Sequence, residues 1–240
     1  MCIRDRALVK RLQGEIVADY ARYEFHLIAQ RLQTFCSEDL GGFYLDILKD
    51  RLYTTAPDSR ARRSAQSALW HILQAFTRLM APILAFTAEE VWQVLTGDAE
   101  QSVMFHTWHE LPKPEGEGEL LAKWALIRDV RADVTKALEA QREAGRIGSA
   151  LQAAVEIRCG GEKYGALASL GDDLKFVLIC SSTAVIEDAA EQVVATPLDH
   201  AKCERCWHVR EDVGADAGHP GLCGRCISNL YGDGEVRSGA

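Results

Sequence analysis

No stretch of this 240-residue sequence approaches the ~20 consecutive apolar residues that a membrane-spanning helix needs. No signal-peptide pattern opens it, and no membrane is expected among its partners; the cytoplasmic location expected rests on the cysteine usage. Also missing are a glycine-rich phosphate loop, a Gly-x-Ser-x-Gly elbow and a His-Glu-x-x-His helix, the signatures of several hydrolytic and nucleotide chemistries. Glu89 and Glu90 are adjacent and face different sides of a helix, which does not make an acid–base pair. No catalytic residue is expected. An excess of basic charge is absent too: the formal net charge is −8, which does not mark a nucleic-acid binder. The acidic excess is confined to residues 98–199, net −8, whereas residues 1–97 carry +1 and residues 200–240 carry −1. Contact with phosphates is therefore expected from the two ends of the chain.

Cysteine is present in two styles. Cys2, Cys36, Cys159 and Cys180 are isolated, while Cys203-Glu204-Arg205-Cys206 and Cys223-Gly224-Arg225-Cys226 form two Cys-x-x-Cys pairs separated by 16 residues. That spacing lets each tight turn aim two sulfurs at one ion at about 2.3 Å, and four such ligands close a tetrahedron with no open position. One structural Zn2+ held by Cys203, Cys206, Cys223 and Cys226 is the expectation. Two disulfides or a redox Cys-x-x-Cys are the alternatives, and isolated thiols beside a thiolate site fit a reducing compartment better. His208 and His219 are bystanders on this reading. Gly224 is expected to supply a positive φ inside the second turn. From Cys203 onward large apolar side chains are few, and a structural metal is one usual remedy for so small a core.

The rest of the chain reads as mainly α. Residues 1–6 begin without a helix-start signal, as expected of a piece of a longer chain. Apolar residues recur at helical spacing through Leu8, Leu12, Ile16, Tyr20, Leu27, Ile28, Leu32 and Phe35, which predicts one long helix over 7–35. Ser37-Glu38-Asp39 breaks the pattern, and Phe43 to Tyr53 resumes it. Ser59 is a candidate N-cap for a helix to about Met80, facing the core with Leu69, Ile72, Leu73, Phe76 and Leu79 and stopped by Pro82. Thr87-Ala88-Glu89-Glu90 reads as a capping box for a short helix. These predict an antiparallel helical bundle over 7–97, then a linker over 98–118. A helix over 119–144 follows, with β-rich runs at Val155–Ile157, Phe176–Cys180 and Val193–Val194 and a short helix at Tyr164–Leu170. The expected architecture is thus a bundle, a small α+β module over 119–199, and a zinc-ribbon- or knuckle-like module over 200–240.

Several blocks together resemble the C-terminal region of bacterial-type isoleucyl-tRNA synthetases. Tyr23-Glu24-Phe25-His26 through Phe43–Tyr53 is similar to the anticodon-binding bundle shared by the isoleucine, valine, leucine and methionine class I enzymes. So is Arg78–Ile83 with Phe86–Trp92. Arg146–Leu151 resembles a helix-to-strand junction of the isoleucine and valine enzymes, and Lys202–Cys226 resembles the terminal zinc module of the bacterial isoleucine enzyme. The resemblance covers nearly everything from residue 7 onward. It implies a parent isoleucine–tRNA ligase that esterifies isoleucine to its tRNA using ATP. The His-Ile-Gly-His and Lys-Met-Ser-Lys-Ser signatures of the ATP-binding catalytic domain are missing here, as is the editing domain. The implied role of this chain is to dock the anticodon stem-loop of isoleucine tRNA, as a monomer joined to the catalytic domain upstream. A free-standing zinc-dependent protein- or RNA-interaction module is the alternative.

An anticodon loop offers splayed bases for stacking and phosphates for cations. The candidates for tRNA contact are Lys49, Arg51, Tyr53, Arg205, Trp207 and Arg225. Trp207 serves equally as a stacking platform or as a cover for the zinc site. Arg205 and Arg225 grip phosphate or, slightly favoured, offset the net −2 charge of four thiolates on one divalent ion. For Lys49 and Arg51, interleaved with Asp46 and Asp50, a solvated face is the plainer alternative.

Overall fold

The computed structural model describes residues 2–98, 100–112, 114–237 and 239. The chain divides into two units, Met1–Asp46 with Ser64–Glu117, and Ile47–Arg63 with Gly118–Ala240.

The first unit is helical. Helix α1, Cys2–Ala21, buries Leu12 and Ile16 of the expected face together with Ala7 and Val9, while Leu8 and Tyr20 are half-buried. The single helix expected to Phe35 instead breaks at 22–24, where Tyr23 takes φ 60° and the Glu24 amide donates to the Asp19 carbonyl. Helical periodicity continues in phase across such a turn, so the pattern alone conceals it. Helix α2, Phe25–Thr34, buries Ile28 and Leu32. The break expected at Ser37–Asp39 does not occur. The backbone widens into a π-helical segment, Phe35–Leu45, that buries Phe35, Phe43 and Tyr44. Gly41 permits it, since a Cβ there would lie 2.9 Å from the Cys36 carbonyl oxygen.

Helix α3 is Asp46–Thr54 and helix α4 is Arg60–Met80. The Ser59 hydroxyl accepts from the Arg62 amide at 3.2 Å, as its N-cap role predicts. The core face of α4 keeps Ile72, Phe76 and Leu79 of the expected residues, with alanines in place of Leu73. Ala65, Ala68, Ile72, Ala75, Phe76 and Leu79 are buried, whereas Leu73 is 39% exposed. Small alanines are easily overlooked as core residues in a pattern weighted to large side chains. Helix α5, Ala85–Thr96, opens before the Thr87–Glu90 box, which therefore lies inside the helix. Glu89 instead accepts from the Ser102 hydroxyl at 2.8 Å and the Val103 amide at 3.1 Å. Trp92 packs with Ala81, Ala88 and Val103. Within 98–118, the Trp108 ring stacks on Tyr20 at 5.8 Å, and Gln13 and Lys10 donate to the His109 and Leu111 carbonyls.

The second unit joins helices to a small sheet. Helix α6, Glu117–Glu143, lies where a helix over 119–144 is predicted and buries Trp124, Ile127, Val130, Val134 and Leu138. Strand β1, Ala153–Cys159, alternates buried and half-buried residues at the centre of a three-stranded sheet. Helix α7 is Gly161–Ala168. The apolar run Phe176–Cys180, expected as strand, is instead the short helix α8, Leu174–Leu178, closed by Ile179 at φ 55°. A fully buried run satisfies either period, and burial of the whole of α8 removes the alternation that separates them. Strand β2, Ser182–Glu187, which the sequence reading missed, pairs parallel to β1, and β3, Gln192–Pro197, pairs antiparallel. Ile157 thereby sits opposite both Val185 and Val193. The Ser181 hydroxyl donates to the Leu151 carbonyl at 2.5 Å and accepts from the Val209 amide at 2.8 Å, tying the sheet to the cysteine-rich tail.

Candidate metal centre

The two cysteine pairs arrive on different local structures. The first lies in a turn in which the Trp207 amide donates to the Cys203 carbonyl and the Cys203 amide to the His208 carbonyl, flanked by a bridge between Lys202 and Val209. The second straddles the start of helix α9, Gly224–Tyr231, with Cys223 just before it and Cys226 inside its first turn. All four sulfurs lie within 4.8 Å of one another, and all four cysteines are buried. Cys206 Sγ and Cys223 Sγ are 3.7 Å apart, close to the edge of about 3.8 Å for a tetrahedron with ~2.3 Å metal–sulfur bonds. None of the four is in a disulfide. They are the one cluster of three or more candidate metal ligands among the described residues.

Four soft thiolates with no gap in the donor set fit a structural zinc ion. Val213 and Leu222 are the apolar side chains packed on the cluster. His208 is buried beside Asp50, and His219 stacks on Tyr231 at 4.4 Å. Neither joins the sulfurs. Gly224 does not supply a positive φ. Its amide donates to Asp212 Oδ2 at 3.0 Å, so the requirement there is close approach. The left-handed backbone belongs to Trp207, at φ 65°.

The arginines inside the two turns are both committed to protein acceptors, Arg225 with its side chain buried and Arg205 half-buried. Arg205 donates to the Thr54 carbonyl at 2.6 Å and the Tyr53 carbonyl at 3.2 Å, and Nη1 lies 3.8 Å from Cys226 Sγ. Arg225 forks onto Asp50 at 3.0 and 2.5 Å and onto Glu235 at 2.7 and 2.9 Å, with Thr54 Oγ1 at 2.6 Å. Burial works against the Arg225 charge, but Glu235 and Asp50 more than offset it and push its pKa up. Burial likewise works against the Asp50 and Glu235 carboxylates, and the arginines hold both below the usual carboxylate range. Arg237 completes the cluster by donating to Asp50, and its guanidinium lies 3.5 Å from the centroid of Phe176, whose ring Arg225 also approaches at 4.6 Å.

Of the other candidates, Arg51 is buried, whereas Lys49 is exposed and Tyr53 is 73% exposed. Trp207 is 59% exposed, with Lys202 Nζ 5.2 Å from its ring centroid. The sequence reading missed Asp50, Phe176, Glu235 and Arg237 as partners of the zinc turns. No local spacing signals Asp50, which lies 175 positions from Arg225, and Glu235, 10 positions on, falls outside any regular helical or strand period.

The profile described as "Anticodon-binding domain of tRNA ligase" matches residues 6–157, and "Zinc finger found in FPG and IleRS" matches residues 202–229. Isoleucine–tRNA ligase of Dechloromonas aromatica is 78% identical over 231 residues, covering 96% of this chain and 25% of the relative. The proteins of the same name from Aromatoleum aromaticum and Azoarcus sp. are 61% and 57% identical over 237 residues, each covering 98% of this chain and 25% of the relative. The chain therefore spans about a quarter of the length of these curated relatives.

Proposed function

Because the chain belongs to the family of anticodon-binding domains of tRNA ligases, we propose that it is the region of an isoleucine–tRNA ligase that docks the anticodon stem-loop of isoleucine tRNA. On this reading the parent enzyme is cytoplasmic and monomeric, and joins isoleucine to tRNA with ATP in a catalytic domain elsewhere in the polypeptide. The working division is a bundle over 7–97, a linker over 98–118, an α+β module over 119–199 and a zinc module over 200–240. One zinc ion on Cys203, Cys206, Cys223 and Cys226 serves as scaffold.

The observation that carries the reading is the Trp207 ring. It stands exposed on a turn whose backbone is pinned at both ends by hydrogen bonds and whose preceding cysteine faces the metal site. A ring needed to cover the metal would be buried, and Val213 and Leu222 occupy that place. A rigid exposed indole beside Lys202 suits an unstacked base, with the ammonium near its phosphate. Lys49 and Tyr53 offer a second cation and ring on α3. Arg51, Arg205 and Arg225, being buried or committed to protein acceptors, contribute through the scaffold.

The test is fluorescence anisotropy with the isoleucine-tRNA anticodon stem-loop across a salt series. Binding that weakens with salt and is lost with an altered anticodon is expected. Equal binding of both loops, or none, overturns the reading in favour of a zinc-dependent docking module.

A further inference from the structure

Both arginines of the Cys-x-Arg-Cys turns reach the same helix. Arg205, between Cys203 and Cys206, donates to the carbonyls of Tyr53 and Thr54 at the C-terminal end of α3. Those carbonyls have no partner within the helix, and a cation there also complements the negative end of the helix dipole. Arg225, between Cys223 and Cys226, takes the Thr54 hydroxyl and, one turn earlier, the Asp50 carboxylate. Thr54 Oγ1 in turn donates to the Asp50 carbonyl at 2.6 Å. Asp50 and Thr54 on the inner face of α3 are thus held, while Lys49 and Tyr53, one turn apart, are exposed on another face.

We propose that Arg205 and Arg225 are positioning residues that transmit metal occupancy to α3, so that the zinc ion sets the aim of Lys49 and Tyr53 toward RNA. The RNA half of this statement rests on the reading under Proposed function. The geometry leaves little slack. Each arginine directly precedes one cysteine ligand and follows the other by two residues, so a turn that relaxes when its two sulfurs lose their ion carries the guanidinium with it. Helix α3 continues directly from the π-helical segment Phe35–Leu45, so its free end is the C-terminal turn at 51–54, the part these ties hold. Four thiolates around a divalent ion leave a net negative charge, and Arg205 near Cys226 Sγ is held more firmly when that charge is present.

Hydrogen–deuterium exchange of the 240-residue chain, zinc-loaded and after chelation, reads the coupling without RNA. Chelation is expected to speed exchange of amides 50–56 about tenfold or more. Arg205→Gln, with zinc still bound at one equivalent, is expected to speed exchange at 53–56 by a similar factor while α9 stays protected. Arg225→Lys keeps the charge but loses the fork, and is expected to give a smaller change at 50–54. Unchanged exchange across α3 in zinc-free wild type and in zinc-loaded Arg205→Gln overturns the coupling whatever the RNA does. In the RNA arm, Arg205→Gln and Tyr53→Ala are each expected to weaken the anticodon stem-loop complex about five- to tenfold, in the range of losing one base–ring contact. A stem-loop affinity unmoved by Arg205→Gln, Tyr53→Ala and Lys49→Ala, in a chain that binds it through Trp207, overturns the assignment of α3 to the RNA face. Loss of all stem-loop binding in the wild-type chain, with the exchange coupling intact, sinks the anticodon reading alone.

Discussion

His71 Nδ1 lies 2.9 Å from His109 Nε2, with the Trp70 ring packed edge-on against both imidazoles. A hydrogen bond between two imidazole nitrogens requires one to donate and the other to accept, so the pair cannot hold this geometry with both rings charged. Burial lowers the pKa of His71, helped by Arg6, and burial, Arg78 and His71 lower that of His109, against a smaller opposing pull from Glu110.

A histidine with a depressed folded-state pKa is neutral in the fold while the unfolded chain already binds a proton. Below the ordinary histidine pKa of about 6.5 the unfolded state therefore binds more protons, and stability falls as pH falls. Melting temperature measured from pH 8 to pH 5 is expected to drop through that window. His109→Phe, which cannot titrate, is expected to flatten the slope, and a slope unchanged by that substitution contradicts the assignment.

Removing one sulfur should empty the metal site. Cys223→Ser is expected to lower bound zinc from near one equivalent to near zero and to loosen the tail, while helicity at 222 nm changes little. Structural zinc contributes apparent binding free energies of roughly 10–16 kcal/mol in comparable small folds, so the tail has little to substitute for it. Metal analysis and limited proteolysis of residues 200–240 check both halves of the expectation.

Asp50→Asn leaves Arg225 and Arg237 with Glu235 as their remaining carboxylate, at side-chain exposures of 7% and 1%. Uncompensated buried charge of this kind costs on the order of 3–5 kcal/mol, which urea unfolding followed by tail-specific exchange would read. The same cluster sets acid sensitivity. The folded-state pKa values of Asp50 and Glu235 are held below 3.8 and 4.5, so their contribution is present above those values and lost as pH falls below them.

Trp207→Ala separates binding from stability. The ring is 59% exposed, so the substitution is expected to leave the melting temperature within a degree or two, as for most surface changes. Stem-loop affinity is expected to fall by roughly 1–3 kcal/mol, the range for losing one stacked base. A destabilised protein with unchanged affinity would return the ring to the role of a cover.

The metal site was legible because ligand spacing is local. Two residues between cysteines dictate a turn wherever the turn lies, and the sulfurs of both turns meet as that spacing implies. Helices with a broad apolar face, such as α6, were legible for the same reason. Three features were not. The turn at Tyr23 leaves the helical period in phase, the helix at Phe176 is buried on every side, and β2 alternates only between exposed and half-buried residues, with none fully buried.

By itself the sequence determined which cysteines gather into one cluster and which faces of several helices avoid water, since both follow from neighbours three or four positions away. Only the tertiary structure decided what the zinc turns hold. Asp50 meets Arg225 across 175 positions, and Arg205 reaches carbonyls some 150 positions away. Such pairings depend on which surfaces the folded chain brings together, and no local pattern of charge or apolarity encodes that.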